Sequence, residues 1–257
     1  MLRPYYAAEV GYPNPAFGDT TIQKLFIEQL LQLPDEHKTR NQYVSVHMPA
    51  WVAREFAPNH LRVTVLREPV SRTVSHLRHI ARALNAPSLE TIYDNPRWRE
   101  RLANYQTRIF SMRKADYEAA KRAWGGAASK GHQAGAAATG TNESVSNAQQ
   151  DIGSWMQYAL LTGTMDTQPL TQDDLVAAIE MVDSFDIVGV TEQLPLFISR
   201  LSDITHTTIV PGSQRNKAPD GLVASAPLLE RIRHDNPFDL QLYAHVVASM
   251  GAWNTQK

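Results

Sequence analysis

The chain has 257 residues, is 43% hydrophobic and 20% charged, and carries Lys+Arg 25 against Asp+Glu 26 for a net charge of -1. That length and apolar content suffice for a full core in one domain spanning residues 1–257, and the balanced charge excludes a global pull toward nucleic acid or an anionic membrane. The absence of cysteine excludes disulfides, thiolate chemistry and Cys-ligated zinc.

Along the chain, residues 1–18 read as irregular, punctuated by Pro4, Pro13 and Pro15. This stretch lacks a signal-peptide core, and no apolar run anywhere reaches the roughly 20 residues of a membrane span. A soluble, cytoplasmic protein without a membrane span is therefore expected. From Thr20 to Leu33, Ile22, Leu25, Phe26, Leu30 and Leu33 trace a helical stripe, with Asp19 or Thr20 able to cap its start and Pro34 to stop it. Tyr43 to His47 reads as a short strand, Trp51 to Phe56 as a helical turn, and Leu61 to Leu66 as a buried β-branched strand. Two strands linked by a short helix predict parallel pairing.

Pro69 suits the first turn of a helix, whose apolar face is Val70, Val74, Leu77, Ala81 and Leu84. Helix is expected again from Arg97 to Arg113 and from Ala115 to Trp124. A Gly/Ala-rich tract at 125–150 then reads as a loop. Four helices follow, at Asp174 to Val182, Gln193 to Leu201, Leu228 to His234 and Phe238 to Met250, with a strand at Phe185 to Val190. The pattern is that of an α/β fold with a parallel sheet flanked by helices.

Charge is uneven locally. Eleven arginines stand between positions 54 and 113 against five acids, so an anion site is sought there. The segment Leu61-Arg-Val-Thr-Val-Leu-Arg67-Glu-Pro-Val-Ser-Arg72-Thr-Val-Ser75-His puts Arg67 at the carboxyl end of a strand, where ligands lie in open α/β sheets. Ser75 falls on the second turn of the next helix, near its positive end. A five-donor guanidinium and a hydroxyl so placed suit one phosphate.

This segment resembles the sulfotransferases, in the branch that holds carbohydrate sulfotransferases such as heparan sulfate 2-O-sulfotransferase and bacterial relatives. There the pattern Arg-Asp/Glu-Pro-x-x-Arg-x-x-Ser binds the 3'-phosphate of PAPS (3'-phosphoadenosine 5'-phosphosulfate), the sulfuryl donor. Val46-His47-Met48-Pro49 is similar to the family's Gly-His segment. Asn104 to Arg108, Val188 to Glu192 and Asn236 to Tyr243 resemble later family stretches, so the resemblance covers roughly residues 20 to 250. It implies a P-loop-like fold, PAPS as donor co-substrate with no metal, and a hydroxyl acceptor on a carbohydrate or glycoconjugate. It also implies that Arg67 and Ser75 bind the cofactor and that His47 is the catalytic base. An imidazole at a strand end is chemically able to take the acceptor's proton as its oxygen attacks sulfur.

The family's Pro-Lys-x-Gly-x-Thr-type loop, which holds the 5'-phosphosulfate, has no counterpart here. Gly18-Asp-Thr-Thr21-Ile-Gln-Lys24 is nearest but lacks the leading Lys. Either the N-terminal strand and loop lie upstream of this chain, or the chain is a sulfotransferase-like domain that binds nucleotide or glycan without turnover. Neighbouring residues have simpler readings. Arg72 touches phosphate or braces the turn against Glu68, the latter favoured. His76 and His79 read as helix surface, and Asn104, Gln106 and Arg108 as solvated polar groups or an acceptor cleft. Arg215, Asn216 and Lys217 read as a solvated loop, and Glu192 and Asp239 as caps of the helices that follow them.

Overall fold

A computed structural model describes residues 8–14, 19–25, 31–36, 43–46, 49–56, 58–119, 169–209 and 222–253. The chain divides into two compact units, Met1–His60 with Met112–Pro169, and Leu61–Ser111 with Leu170–Lys257. His47, the Gly/Ala-rich tract at 125–150 and Arg215 to Lys217 lie outside the described residues.

The first unit contains an antiparallel sheet of β1 (Ala8–Asn14), β2 (Asp19–Leu25) and β3 (Tyr43–Val46), in the order β2-β1-β3. This corrects the irregular reading at residues 8–14 and, as far as Leu25, the helix expected from Thr20. Thr20, Thr21 and Ile22 are consecutive β-branched residues that favour extended backbone, and they pair with Pro13, Tyr12 and Gly11. Pro13 is tolerated because the β3 ladder ends opposite Gly11. Its missing N–H thus falls where β1 has a partner on one side only. The parallel pairing expected between the strands at Tyr43 and Leu61 is also corrected: β3 pairs antiparallel with β1, and the strand Val63–Leu66 pairs instead with Ile187–Val190.

Helix α1 (Ala50–Phe56) follows, burying Ala50, Trp51, Val52 and Phe56. Residues 114–119 are helical as well. Lys114 pairs with Glu55 at 2.7 Å and lies over the Trp51 ring, which meets Tyr117 at 5.7 Å between centroids.

The second unit is mostly helical around a two-stranded parallel sheet of β4 (Val63–Leu66) and β5 (Ile187–Val190), an arrangement compatible with the α/β class. All four β5 residues are buried, as expected for a parallel strand covered on both faces. Arg62 fastens the start of both strands: its N–H donates to Asp186 Oδ2 at 2.7 Å and its carbonyl accepts from the Asp186 and Ile187 amides.

Helix α2 (Pro69–Leu84) leaves β4 with Pro69 in its first turn and ends on Asn85, whose φ of 50° gives a left-handed cap that Asn accepts more readily than most residues. It buries Val70, Val74, Leu77, Ile80 and Ala81, whereas Leu84, expected on that face, is exposed. Helix α3 (Leu89–Tyr93) starts on Ser88. The single helix expected from Arg97 to Arg113 is instead broken into α4 (Pro96–Leu102) and α5 (Tyr105–Ser111), because Asn104 adopts a φ of 49° between them.

Helix α6 (Gln172–Asp183) starts on a capping box made by Thr171 and Asp174. β5 passes through a single 3-10 turn, Thr191–Gln193, into α7 (Leu194–Thr205). Helices α8 (Ala226–Asp235) and α9 (Pro237–Trp253) complete the unit. Among the described residues no helix is long and apolar enough to cross a membrane.

Candidate functional site

The carboxyl end of β4 is where the chain turns from Leu66 through Arg67 and Glu68 into α2. Helix α2 starts here because Pro69 presets the backbone and the Glu68 carboxylate accepts from Val70 N at 3.0 Å and Ser71 N at 2.6 Å. The bare helix amides expected to attract an anion are therefore already satisfied by a side chain that is itself negative. Anion binding at this turn falls to side-chain donors.

Two such donors are available. Arg67 is exposed, and among the described residues its guanidinium has no carboxylate partner. Ser75 is half-buried on the second turn of α2, and among the described residues its hydroxyl makes no hydrogen bond. Ser71 precedes it by one turn on the same face. Arg67 thus follows the end of β4 and Ser75 lies on the second turn of α2, the Arg67 guanidinium without a carboxylate partner and the Ser75 hydroxyl without a hydrogen bond among the described residues, while His47 lies outside them.

Other elements hold the turn. Gln106, from α5, accepts from Arg67 N at 2.9 Å and donates to Arg67 O at 2.9 Å. Glu192, just beyond β5, accepts from Glu68 N at 3.1 Å through Oε1 and from the Tyr243 hydroxyl at 3.0 Å through Oε2. Burial opposes the charge on Glu192, but hydrogen bonds from its own and the Glu68 amide, from Thr191 and from Tyr243 hold its carboxyl below the usual range. Burial, then Glu192 and Glu68, push the Tyr243 phenol up to about 12.

Behind this turn lies a buried polar layer. Asp239 accepts from the amides of Gln106 and Thr107 and from the Thr107 hydroxyl. Asn104 accepts from the amides of Phe238 and Asp239. Asn104, Gln106 and Arg108 are all buried, so they are neither solvated groups nor the lining of an open cleft. Glu192 and Asp239 also depart from their expected roles. The helix after Glu192 has no side-chain cap, and Asp239 lies inside α9 and caps α5 instead.

Arg72 places its guanidinium 3.5 Å from the centre of the Tyr105 ring, a cation–π contact. His76 is not simple helix surface. Its ring lies 6.4 Å from Tyr105, and burial, then the charges of Arg72 and His79, hold it well below the usual imidazole range and hence neutral. Among the described residues His76 and His79 belong to no cluster of metal-ligating side chains.

Sequence reasoning reaches the turn, Arg67 and Ser75 but misses Gln106, Glu192 and Tyr243 as supports of the turn. Comparison of the chain with protein-family models, with curated proteins and with solved structures gives no match.

Proposed function

We propose that the chain is a sulfotransferase that moves a sulfuryl group from PAPS to a hydroxyl of a carbohydrate or glycoconjugate acceptor, in the cytoplasm, on a P-loop-like sheet. The observation that carries this reading is the β4–α2 junction, where an exposed Arg67 guanidinium follows a parallel strand and Ser75, whose hydroxyl makes no hydrogen bond among the described residues, lies on the second turn of the next helix. A guanidinium and a hydroxyl are the donor types that hold a phosphate through charge-assisted hydrogen bonds. In this reading they grip the 3'-phosphate and position the donor, and His47 takes the acceptor's proton.

A second reading keeps the nucleotide site without turnover. Its support is that Gly18 to Lys24, the nearest segment to a phosphosulfate loop, runs largely as strand β2 paired with β1. Transfer of labelled sulfuryl from PAPS to a panel of glycan hydroxyls separates the two. The enzyme reading expects acceptor-dependent transfer that His47→Ala lowers while sparing nucleotide binding. Nucleotide binding with no transfer to any acceptor favours the second.

A further inference from the structure

The backbone around Arg67 is more tightly held than an exposed turn requires. Strand β5 pairs with β4 as far as Leu66 and Val190 and then coils into its 3-10 turn. One residue further on, the Gln106 amide takes over, meeting both the N–H and the C=O of Arg67 at 2.9 Å as a neighbouring strand would. Glu192 holds the next amide, that of Glu68. Three successive backbone polar groups are thus fixed by side chains, although water would satisfy them in an exposed turn.

The support is itself supported. The amide of Gln106 is held by Asp239, and the amide of Asp239 by Asn104. A buried glutamine with both amide atoms engaged has one orientation available. At the end of this chain stands Arg67, whose guanidinium is the part of the turn left without a carboxylate partner among the described residues. Locking a backbone while leaving its charged side chain uncommitted lowers the ordering cost of binding an anion there.

We infer that Gln106 is a positioning residue for Arg67, fixing the Arg67 peptide so that its guanidinium is aimed at the 3'-phosphate; this rests on the nucleotide reading above. The readout is the ratio of affinities for 3'-phosphoadenosine 5'-phosphate and adenosine 5'-phosphate, measured calorimetrically on the full chain. Gln106→Met keeps the length but removes both hydrogen bonds. Gln106→Glu keeps the acceptor for Arg67 N–H and sets an oxygen against Arg67 C=O.

Each variant should lower the ratio by about tenfold, the scale of one or two lost hydrogen bonds, with binding of adenosine 5'-phosphate little changed. In an Arg67→Ala background neither should lower it further. Should Gln106→Met fail to fold, Gln106→Glu carries the same comparison. An unchanged ratio, or an equal loss with and without Arg67, overturns the inference. A wild-type chain that does not distinguish the two nucleotides overturns the underlying reading, and the inference with it.

Discussion

Asn104 and Asp239 cap each other's helices. Asn104 Oδ1 accepts from the amides of Phe238 at 2.9 Å and Asp239 at 3.1 Å in the first turn of α9. In return the Asp239 carboxylate accepts from Gln106 N at 3.0 Å and from Thr107 N at 2.7 Å in the first turn of α5. Asn104 reaches this position through a φ of 49°, a left-handed conformation that Asn tolerates better than most residues. Each helix start thus satisfies the orphan amides of the other, and Gln106 inherits its placement from the pair.

Asp239→Ala should destabilise the chain by about 3 kcal/mol, because three buried donors lose their acceptor at once. Urea unfolding measures this. Burial raises the Asp239 carboxyl above its usual value, against the opposing hydrogen bonds of Thr107 and Gln106 and the charge of Arg72. The native state therefore holds this proton more tightly than the unfolded state does. The resulting stability is fully present below the ordinary carboxylate range and is lost as pH rises through the raised native value. Asp239→Asn should flatten that part of the pH profile, whereas an unaltered profile would contradict the assignment.

Tyr243 and Glu192 give a test at the alkaline end. The Tyr243 phenol is raised from 10.0 to about 12 by burial and by the carboxylates of Glu192 and Glu68. The associated stability is present below pH 10.0 and is lost as pH climbs toward 12. The difference absorbance titration of wild type minus Tyr243→Phe should show one late-ionising phenol, and Glu192→Gln should bring it back toward the ordinary value. A difference spectrum that titrates with the ordinary tyrosines would refute the contact.

Gly189, in the middle of β5, has Phe197 of α7 packed against it so closely that an added Cβ would lie within 3 Å of Phe197 Cβ. Gly189→Ala should therefore cost about 1–3 kcal/mol through overpacking. Pairing it with Phe197→Leu should return part of the loss. A neutral Gly189→Ala in urea unfolding would mean that α7 is not seated on the strand in this way.

The sequence is most legible where local rules and packing agree. β4 announces itself by Val63, Thr64 and Val65, and α2 by Pro69 and its apolar stripe, so local pattern alone locates the Arg67–Ser75 junction. The first 25 residues mislead because the apolar spacing from Ile22 to Leu33 fits a helix, whereas the ladder with Ala8–Asn14 makes Asp19–Leu25 a strand. That ladder depends on long-range pairing, which a local pattern does not carry. The break at Asn104 is hidden for a similar reason. Its left-handed backbone serves caps more than 130 residues away, at Phe238 and Asp239. Gln106 carries no signal of its own, since a glutamine that replaces a strand partner looks like any surface glutamine until its partner is known.

Whether Arg67 and Ser75 hold a 3'-phosphate is decided by calorimetric titration of the full chain with 3'-phosphoadenosine 5'-phosphate, with adenosine 5'-phosphate and Arg67→Ala in parallel. Binding should weaken by a few kcal/mol, roughly a hundredfold, when either the 3'-phosphate or the Arg67 guanidinium is removed, as expected for a charge-assisted contact. Removing both should cost little more than removing one. Equal affinity for the two nucleotides, or binding indifferent to Arg67→Ala, would mean that this junction does not hold the 3'-phosphate.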